Sequence, residues 1–488
     1  MLRRGAALCR RFSTTAATPF HVAIVGSGPS GFYTADFLLK KDPNVRVDIY
    51  EHLPVPYGLV RYGVAPDHQS VKNVTDRFSQ IASDPRCSLL ANVRVGESED
   101  AGGVAAHVPL TALREQYHAV VLAYGADTDR TLGLPGEDLD GVHSARQFVE
   151  WYNGHPRAVG RSFRLADCET AVIVGHGNVA LDCARMICST PEQLQGDTDV
   201  AAHAAAELGA SGVRQVVLLG RRGVLHAAFT IKELRELSKR SGATLQLLAP
   251  QDAFNEAVLA AAKTDRARKR LVELMKTLHE PMLPDPPPPP PSGDDRAIRV
   301  QFQRVPVGFV GDGERLRAVQ VQATALDGAP AAAQRAAAVA GSEYEVPCGL
   351  ALRAVGYKSS PLEGAPFDAS RGVVPCGAGG RVDGGGSGLY ATGWLKRGPN
   401  GVILTNVVDA EETASSVLAD RGQLEGKLLC GGGDAVRELL SEQGRPVLGF
   451  DEWRRIDELE VARGQAAGKV REKLVDVKEM LEVAARGS

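Results

Sequence analysis

Two glycine-rich motifs are the residues of this chain best suited to ligand chemistry. The first, GSGPSG, spans 26–31 after the apolar segment 21–25, and the second, GHGNVA, spans 175–180 after the apolar segment 171–174. Such a turn lets the backbone approach a pyrophosphate, and the helix that follows presents free N–H groups to the phosphate charge. The alternative for either motif is a tight strand-to-helix turn that binds nothing. The glycines of the two turns are Gly26, Gly28, Gly31, Gly175 and Gly177.

The strands that follow the two motifs end differently. Segment 45–51 ends in Glu51, whose carboxylate can accept hydrogen bonds from an adenosine ribose. Segment 215–220 is followed by Arg221 and Arg222, which suit a 2′-phosphate and have no partner on a free ribose. We therefore predict FAD at the first turn and NADPH at the second, and a chain that carries both is most simply an electron-transfer flavoenzyme.

Two further segments are suited to the flavin ring. Segment 53–68 is too rich in Gly and Pro for a helix or strand, and we interpret it as a shaped loop over the isoalloxazine. Segment 389–393 predicts a short strand, and Val402 onward predicts a helix to about Asp420. The positive N-terminus of that helix would stabilise negative charge on a flavin.

These segments predict an α/β fold with two Rossmann-like dinucleotide-binding domains, of which the FAD domain is discontinuous. We predict a targeting segment at 1–18, the first part of the FAD-binding domain at 19–125, the NADPH-binding domain at 126–355 and the second part of the FAD-binding domain at 356–488. We interpret a polyproline tract at about 284–291 as a surface insertion in the NADPH-binding domain.

Composition and charge narrow the class of protein. The chain has 488 residues, of which 44% are hydrophobic and 24% charged, as in soluble globular proteins. No apolar run approaches the roughly 20 residues that span a bilayer, so any membrane association would be peripheral. Residues 1–18 contain four arginines and no acid, which predicts a transit peptide and a location in the mitochondrial matrix. In that compartment, the peripheral association would be with the inner membrane.

The eight cysteines include no Cys-x-x-Cys pair. Flavoproteins that reduce disulfides need a paired redox-active site, so this spacing argues against that class. We interpret the cysteines as reduced and structural, and we expect no metal site.

Several long stretches resemble one family closely, the mitochondrial adrenodoxin reductases, or NADPH–ferredoxin reductases. The matching stretches are 24–33, 54–68, 175–182, 229–235, 393–403 and 461–475. The resemblance implies that electrons pass singly from FAD to a [2Fe–2S] ferredoxin, in support of mitochondrial P450 or iron–sulfur cluster pathways. The FAD contacts that it implies, beyond the glycines, are Ser30, Glu51, Leu59, Val95, Trp394, Gly401, Val402 and Ile403. The NADPH contacts are His176, Gly177, Asn178, Val179, Arg221, Arg222, Glu233 and Gly401.

The same resemblance places His68 and Asp182 near the flavin, as proton-relay or electron-route groups. The alternatives are a polar loop histidine and an aspartate that supports the turn. Two residues depart from the family pattern: Ser30 stands where Ala is usual, and His176 stands where Gln is usual. We expect the Ser30 hydroxyl either to bond the pyrophosphate or to sit in the turn, and the His176 side chain to face solvent.

A basic cluster predicts the partner. Between Arg221 and Lys276 there are 12 Lys or Arg residues against six acids, in a chain whose formal net charge is −3. Such a local reversal suits the steering of an acidic protein, and the family implies an acidic [2Fe–2S] ferredoxin. We expect no nucleic-acid partner and a monomer. The residues predicted to dock the ferredoxin are Arg235, Arg266, Arg268, Lys269 and Arg270.

Two other functions fit the same motifs. One is a reductase module for a different iron–sulfur acceptor, and the other is a sensor that holds FAD and NADPH without turnover.

Overall fold

The computed structural model describes residues 19–96, 104–240, 242–283, 285–329, 334–426 and 432–486. The predicted targeting segment 1–18 lies outside these residues. Within these ranges, no helix combines the length and apolar character needed to cross a membrane.

Twenty strands form the sheets of these described ranges. In chain order they are Phe20–Val25 (β1), Val45–Glu51 (β2), Cys87–Ala91 (β3), Val93–Val95 (β4), Ala106–Val108 (β5), Ala119–Leu122 (β6), Thr128–Asp129 (β7), Val142–Ser144 (β8), Thr170–Val174 (β9), Gln215–Gly220 (β10), Thr244–Ala249 (β11), His279–Pro281 (β12), Ala297–Phe302 (β13), Arg304–Asp312 (β14), Arg315–Asp327 (β15), Arg335–Ala338 (β16), Tyr344–Pro347 (β17), Leu350–Arg353 (β18), Tyr357–Lys358 (β19) and Leu389–Ala391 (β20).

Seventeen α-helices occur in the described ranges. In chain order they are Pro29–Lys41 (α1), Leu59–Tyr62 (α2), Gln69–Lys72 (α3), Val74–Ala82 (α4), Leu110–Gln116 (α5), Ala145–Tyr152 (α6), Asn178–Ile187 (α7), Ala202–Gly209 (α8), Ile231–Arg240 (α9), Glu256–Ala262 (α10), Arg266–Leu278 (α11), Trp394–Arg397 (α12), Thr405–Ala419 (α13), Arg421–Leu424 (α14), Gly432–Ser441 (α15), Phe450–Ala466 (α16) and Val477–Ala485 (α17).

The first sheet has five parallel strands in the order β20-β6-β1-β2-β3. Alternate residues of β1 are buried against opposite layers: Val22 and Ile24 pack with α1 and α13, and Ala23 and Val25 pack with α5 and α15. Burial on both faces explains why this strand is a continuous apolar run. Since β20 comes from far along the chain and joins β6, the prediction of a discontinuous domain is confirmed.

The second sheet has seven parallel strands in the order β12-β11-β13-β10-β9-β18-β8. One of its faces packs against helices that include α6, α7 and α9. The other face is covered by an antiparallel sheet in which β14, β15 and β16 are neighbours and β17 also pairs with β15. The sequence analysis did not predict this antiparallel layer, whose strands lie within the region assigned to the second domain.

The polyproline tract lies in the described residues from Asp285 onward, outside any helix or strand. The carbonyl of Pro288 accepts a hydrogen bond of 2.7 Å from Arg299, and Asp285 pairs with Arg304 at 2.7 Å. Two side chains of the second sheet and its antiparallel cover therefore hold the tract.

A buried carboxylate connects α16 to the loop that follows β2. Glu460 is fully buried, and its Oε2 accepts hydrogen bonds from Arg61 at 2.9 Å and from Arg471 at 2.8 Å. Its Oε1 accepts two more, from Arg61 Nη2 at 2.5 Å and from the Leu474 N–H at 2.8 Å. Burial alone raises the pKa of Glu460, but Arg61 and Arg471 hold that pKa below its usual value. The C-terminal helices thereby position α2, which carries Leu59.

A second buried cluster joins three segments that are distant in the sequence. The Asp199 carboxylate lies between the ammonium groups of Lys72, at 2.6 Å, and Lys473, at 3.0 Å. Lys72 belongs to α3, Asp199 lies between α7 and α8, and Lys473 follows α16. Three distant parts of the chain therefore meet at one carboxylate.

Candidate active site between two dinucleotide cradles

The first glycine turn connects β1 to α1. A Cβ at Gly26, whose φ is +113°, would lie 2.6 Å from the Ala123 carbonyl oxygen, and one at Gly31 would lie 2.0 Å from the Gly26 oxygen. A Cβ at Gly28 would meet nothing within 4 Å. Gly28 is also the N-cap of α1, so no side chain caps the first N–H groups of the helix at this position. The close packing of the outer glycines and the open position between them fit an approaching pyrophosphate.

Glu51 ends β2 beside this turn. Its side chain is buried, and its Oε2 accepts hydrogen bonds from the Ser27 hydroxyl at 2.5 Å and the Ser27 N–H at 3.3 Å. Burial raises its pKa, but His52, Ser27 and the Leu53 N–H outweigh burial and lower that pKa. Glu51 is thus an ionised acceptor at the carboxyl end of the strand, as the ribose role requires.

The segment after β20 packs against the start of α1. The Ser30 hydroxyl donates a hydrogen bond of 3.1 Å to Asn406 Oδ1, so it sits in the turn and is engaged by the protein. A Cβ at Gly393 would lie 2.0 Å from Ser30 Oγ, which explains the glycine there. The helix that we predicted from Val402 begins at Thr405, and the short helix α12 before it was not predicted.

The other predicted flavin contacts lie around this turn. Leu59 begins α2, and Val95 ends the buried strand β4. Trp394 begins α12, and its ring lies 6.0 Å from that of Tyr357. The buried indole nitrogen of Trp394 has no hydrogen-bond partner in the described part of the chain.

The second glycine turn connects β9 to α7 with the same geometry. A Cβ at Gly175 would lie 2.3 Å from the Ala354 carbonyl oxygen, and one at Gly177 would meet nothing within 4 Å. Gly177 caps α7 without a side-chain hydrogen bond. Asn178 Oδ1 accepts a hydrogen bond from the Thr230 N–H at 2.9 Å, which ties the turn to the loop before α9.

The expectation that His176 faces solvent is wrong. Its ring packs edge-on against Phe302 at 4.7 Å, and a Cβ at Gly220 would lie 2.2 Å from its Nδ1. Burial lowers the pKa of His176 to about 4, so the ring is neutral at physiological pH. The imidazole fills the space that Gly220 leaves at the end of β10, and the sequence signal for this packing was the glycine that ends the strand.

Arg221 and Arg222 follow β10 directly, and both are exposed. The Arg221 carbonyl accepts a hydrogen bond of 2.7 Å from the Thr324 hydroxyl of β15. We call the segment after β10 that carries Arg221 and Arg222 the arginine loop. The antiparallel layer therefore supports the backbone of this loop.

His68 and Asp182 meet through a residue that the sequence analysis missed. Nη2 of Arg185 lies 2.7 Å from Asp182 Oδ1 and 3.0 Å from His68 Nε2, and its Nε donates to Asp67 at 2.7 Å. Arg185 is almost wholly buried on α7. In the sequence, the only indication of this contact was that Arg185 lies one helical turn after Asp182.

Two glutamates of α9 complete this cluster. His68 Nε2 lies 2.6 Å from Glu236 Oε2 and 3.8 Å from Glu233 Oε2. Burial and the charge of Asp182 raise the pKa of Glu233 to about 8. Burial also raises the pKa of Asp182. Both carboxyl groups therefore hold a proton more readily than they would in water.

The His68, Glu233 and Glu236 ligand atoms all lie within 4.8 Å of one another, a spacing that a metal ion could use. However, the Arg185 guanidinium contacts the same His68 nitrogen and supplies the positive charge there. This cluster thus combines one guanidinium, one imidazole and several carboxyl groups within contact distance.

The fold and the site define a class of protein: an oxidoreductase with two dinucleotide cradles, linked by the contacts of Arg185 with His68 and Asp182. Residues 20–239 match the pyridine nucleotide-disulphide oxidoreductase family. The chain is 44% identical to human mitochondrial NADPH:adrenodoxin oxidoreductase, over 97% of this chain and 94% of the human one. It is 41% identical to the Arabidopsis thaliana protein of the same name, over 98% of each.

A solved structure agrees with these relatives. The FprA oxidoreductase of Mycobacterium tuberculosis, in complex with NADPH, superimposes with a TM-score of 0.85 at 35% identity, covering 96% of this chain and 99% of FprA. The chain belongs to the family of mitochondrial NADPH:adrenodoxin oxidoreductases. The predicted family and the predicted pair of Rossmann-like domains are confirmed.

Proposed function

We propose that this protein binds FAD at the first cradle and NADPH at the second. We further propose that electrons pass from the FAD to a ferredoxin docked on α9 and α11. The observation that carries this proposal is the contrast between two otherwise equal glycine turns, one ending at buried Glu51 and the other at exposed Arg221 and Arg222. As a member of its family, the protein is an FAD-dependent NADPH oxidoreductase that reduces a ferredoxin.

The residues around the first cradle fit FAD. The open position at Gly28 and the uncapped start of α1 would hold the pyrophosphate, and Glu51 would hold the ribose. The N-terminus of α13 also lacks a side-chain cap, but the Thr405, Asn406 and Val407 N–H groups donate to the carbonyls of residues 402–404. What α13 would offer the flavin edge is therefore the partial positive charge of the helix dipole. The proposed FAD contacts are Gly26, Gly28, Ser30, Gly31, Glu51, Leu59, Val95, Trp394, Gly401, Val402 and Ile403.

The second cradle fits NADPH in the same way. The start of α7 would hold the coenzyme pyrophosphate, and the arginine loop would hold the 2′-phosphate. Glu233, whose pKa is raised by burial, would lie at a polar group of the nicotinamide end. The proposed NADPH contacts are Gly175, His176, Gly177, Asn178, Val179, Arg221, Arg222, Glu233 and Gly401, and His176 acts there by packing against Gly220.

The chain's own residues align the reactants and hold protons. Bound FAD supplies the redox chemistry, because it accepts a hydride as an electron pair and releases the electrons one at a time. The protein's task is then alignment and electrostatics. His68 and Asp182 are proposed as proton-relay groups, and the Arg185 guanidinium between them orients both side chains.

The proposed docking surface includes the side of α9 that points away from His68. Glu233 and Glu236 of α9 face His68, whereas Arg235 of the same helix is exposed. On the adjacent α11, Arg266, Lys269 and Arg270 are exposed as well. We call Arg235, Arg266, Lys269 and Arg270 the docking surface. An acidic ferredoxin held there would be separated by α9 from His68 and its two glutamate partners.

Charge reversal tests this surface. We expect R235E/R266E/R270E to lower kcat/KM for the ferredoxin about 10- to 100-fold, because steering raises association rates by that order. Reduction of ferricyanide by NADPH should be nearly unchanged, since a small acceptor needs no docking. The measurement is steady-state reduction of both acceptors at low and high salt.

The matched control is K276E, at the other end of α11. It should change ferredoxin reduction less than twofold by the same steering argument. Equal losses with ferricyanide and ferredoxin in the triple variant would contradict the docking proposal.

The relatives are named mitochondrial, and we place this protein in the mitochondrion. We propose the matrix as its compartment and residues 1–18 as the targeting segment.

A reporter fused to residues 1–18 should enter mitochondria and resist external protease after the outer membrane is opened. The control with Arg3, Arg4, Arg10 and Arg11 changed to Gln should stay cytosolic. A reporter that remains cytosolic with the natural segment would contradict the proposal.

We further propose the domain division 19–125, 126–355 and 356–488. The short ribbon of β7 and β19 supports it, because Thr128 and Asp129 pair there with Lys358 and Tyr357 as the chain leaves and re-enters the first unit. A monomer in peripheral contact with the inner membrane stays a prediction.

A further inference from the structure

One arginine of the basic cluster is oriented differently from its neighbours. Arg268 lies in the first turn of α11, where Asp265 caps the helix and accepts hydrogen bonds from the Ala267 and Arg268 N–H groups at 2.7 and 3.3 Å. Arg268 is half-buried, whereas Arg266 and the two residues that follow Arg268 are exposed. Its side chain therefore turns toward the protein, away from the docking surface.

The Arg268 side chain ends on the arginine loop. Its Nη1 donates a hydrogen bond of 2.6 Å to the Ala227 carbonyl. Ala227 directly follows the 3-10 turn Val224–His226, which in turn follows Arg222 and Gly223. The start of α11 thus packs on the chain segment that carries the proposed 2′-phosphate ligands.

The charges of Arg221 and Arg268 both act on the Arg222 guanidinium. Burial, Arg221 and Arg268 together lower the pKa of Arg222, and no acid offsets them. Neither Arg221 nor Arg222 forms a side-chain ion pair with any residue that the structure describes. A cluster of like charges with no internal counter-ion is stabilised when an anion binds between them.

We infer that Arg268 is a third ligand for the 2′-phosphate of NADPH and helps to determine coenzyme specificity. The inference rests on the proposed placement of that phosphate at Arg221 and Arg222. The Ala227 carbonyl holds one nitrogen of the Arg268 guanidinium and leaves the other donors of the fork free for a phosphomonoester. The same residue would then contribute little to ferredoxin docking.

The test uses two inhibitors that differ only in the 2′-phosphate. In the FAD-loaded enzyme with ferricyanide as acceptor, R268Q should raise the inhibition constant of adenosine 2′,5′-bisphosphate about tenfold. The inhibition constant of 5′-AMP, which lacks the 2′-phosphate, should be unchanged. The control K276Q removes an exposed charge from the same helix and should move neither constant.

A second variant at the same position separates the outcomes. R268K keeps the charge and loses the fork, so it should raise the constant for the bisphosphate about threefold, and it remains informative if R268Q does not fold. An unchanged constant in every folded Arg268 variant, or an equal rise for 5′-AMP, would overturn the inference. A higher KM for ferredoxin with both constants unchanged would assign Arg268 to docking and overturn it too.

Failure of the proposed coenzyme site gives a different result. If R221Q/R222Q also leaves the bisphosphate constant unchanged, the 2′-phosphate binds elsewhere and both proposals are wrong. If that double variant raises the constant and R268Q does not, only the role of Arg268 is wrong.

Discussion

Changing Arg221 and Arg222 to glutamine should raise KM for NADPH at least a hundredfold while KM for NADH stays nearly the same. Each charge-assisted hydrogen bond to the 2′-phosphate contributes roughly 1.5–3 kcal/mol, so loss of two corresponds to about 3–6 kcal/mol. Both side chains are exposed, so we expect the lower end of that range. Steady-state kinetics with the two coenzymes and ferricyanide give the measurement.

The control for this experiment removes two charges elsewhere. Arg46 and Arg161 are exposed and lie outside the arginine loop, so R46Q/R161Q changes the net charge equally. It should leave the ratio of the two KM values at its natural level. A double variant at 221 and 222 that still prefers NADPH would show that the 2′-phosphate is recognised elsewhere.

Changing Glu460 to glutamine should be the most destabilising single substitution that we predict. The change leaves Arg61 and Arg471 beside a neutral group, and Arg61 is itself buried. Removing one partner of a buried ion pair costs about 3–5 kcal/mol because the remaining charge is desolvated and unpaired. We expect a lower midpoint in urea unfolding and faster loss of FAD, because Arg61 belongs to the same short helix as Leu59.

The matched control is D457N. Asp457 also pairs with Arg471, at 2.6 Å, but its side chain is partly exposed, so its removal should cost less than about 1 kcal/mol. Equal midpoints for E460Q and the natural protein would mean that water reaches the cluster. The Glu460 contribution is present above the ordinary pKa of a glutamate and is lost as the pH falls through the lowered pKa, so the E460Q difference should shrink in acid.

The local motifs were well predicted because each depends on neighbours in sequence. The glycine turns, the apolar strands and the residues at the strand ends lie within a few positions of each other, and the structure places them at β1–α1–β2 and β9–α7–β10 as expected. The start of α13 was misplaced by three residues, from Val402 to Thr405, because a glycine-rich segment gives no clear capping signal.

His176 shows what local reasoning misses. In the sequence it is one polar residue in a phosphate-binding turn, which favours a solvent-facing side chain. In the fold, Gly220 and Phe302 from two other strands leave a space that the ring fills. No pattern near His176 carries that information, since the three residues meet only after the parallel sheet has formed.

The sequence by itself determined the class of fold, the two dinucleotide turns, the contrast between Glu51 and Arg221–Arg222, and the resemblance to a family. Only the tertiary structure decided that Arg185 joins His68 to Asp182, that Glu236 contacts His68, and that Arg268 turns toward the arginine loop. The physical reason is the distance in sequence over which the two kinds of interaction act. Backbone conformation and strand ends follow from adjacent residues, whereas ion pairs and perturbed pKa values depend on side chains that burial brings together from distant parts of the chain.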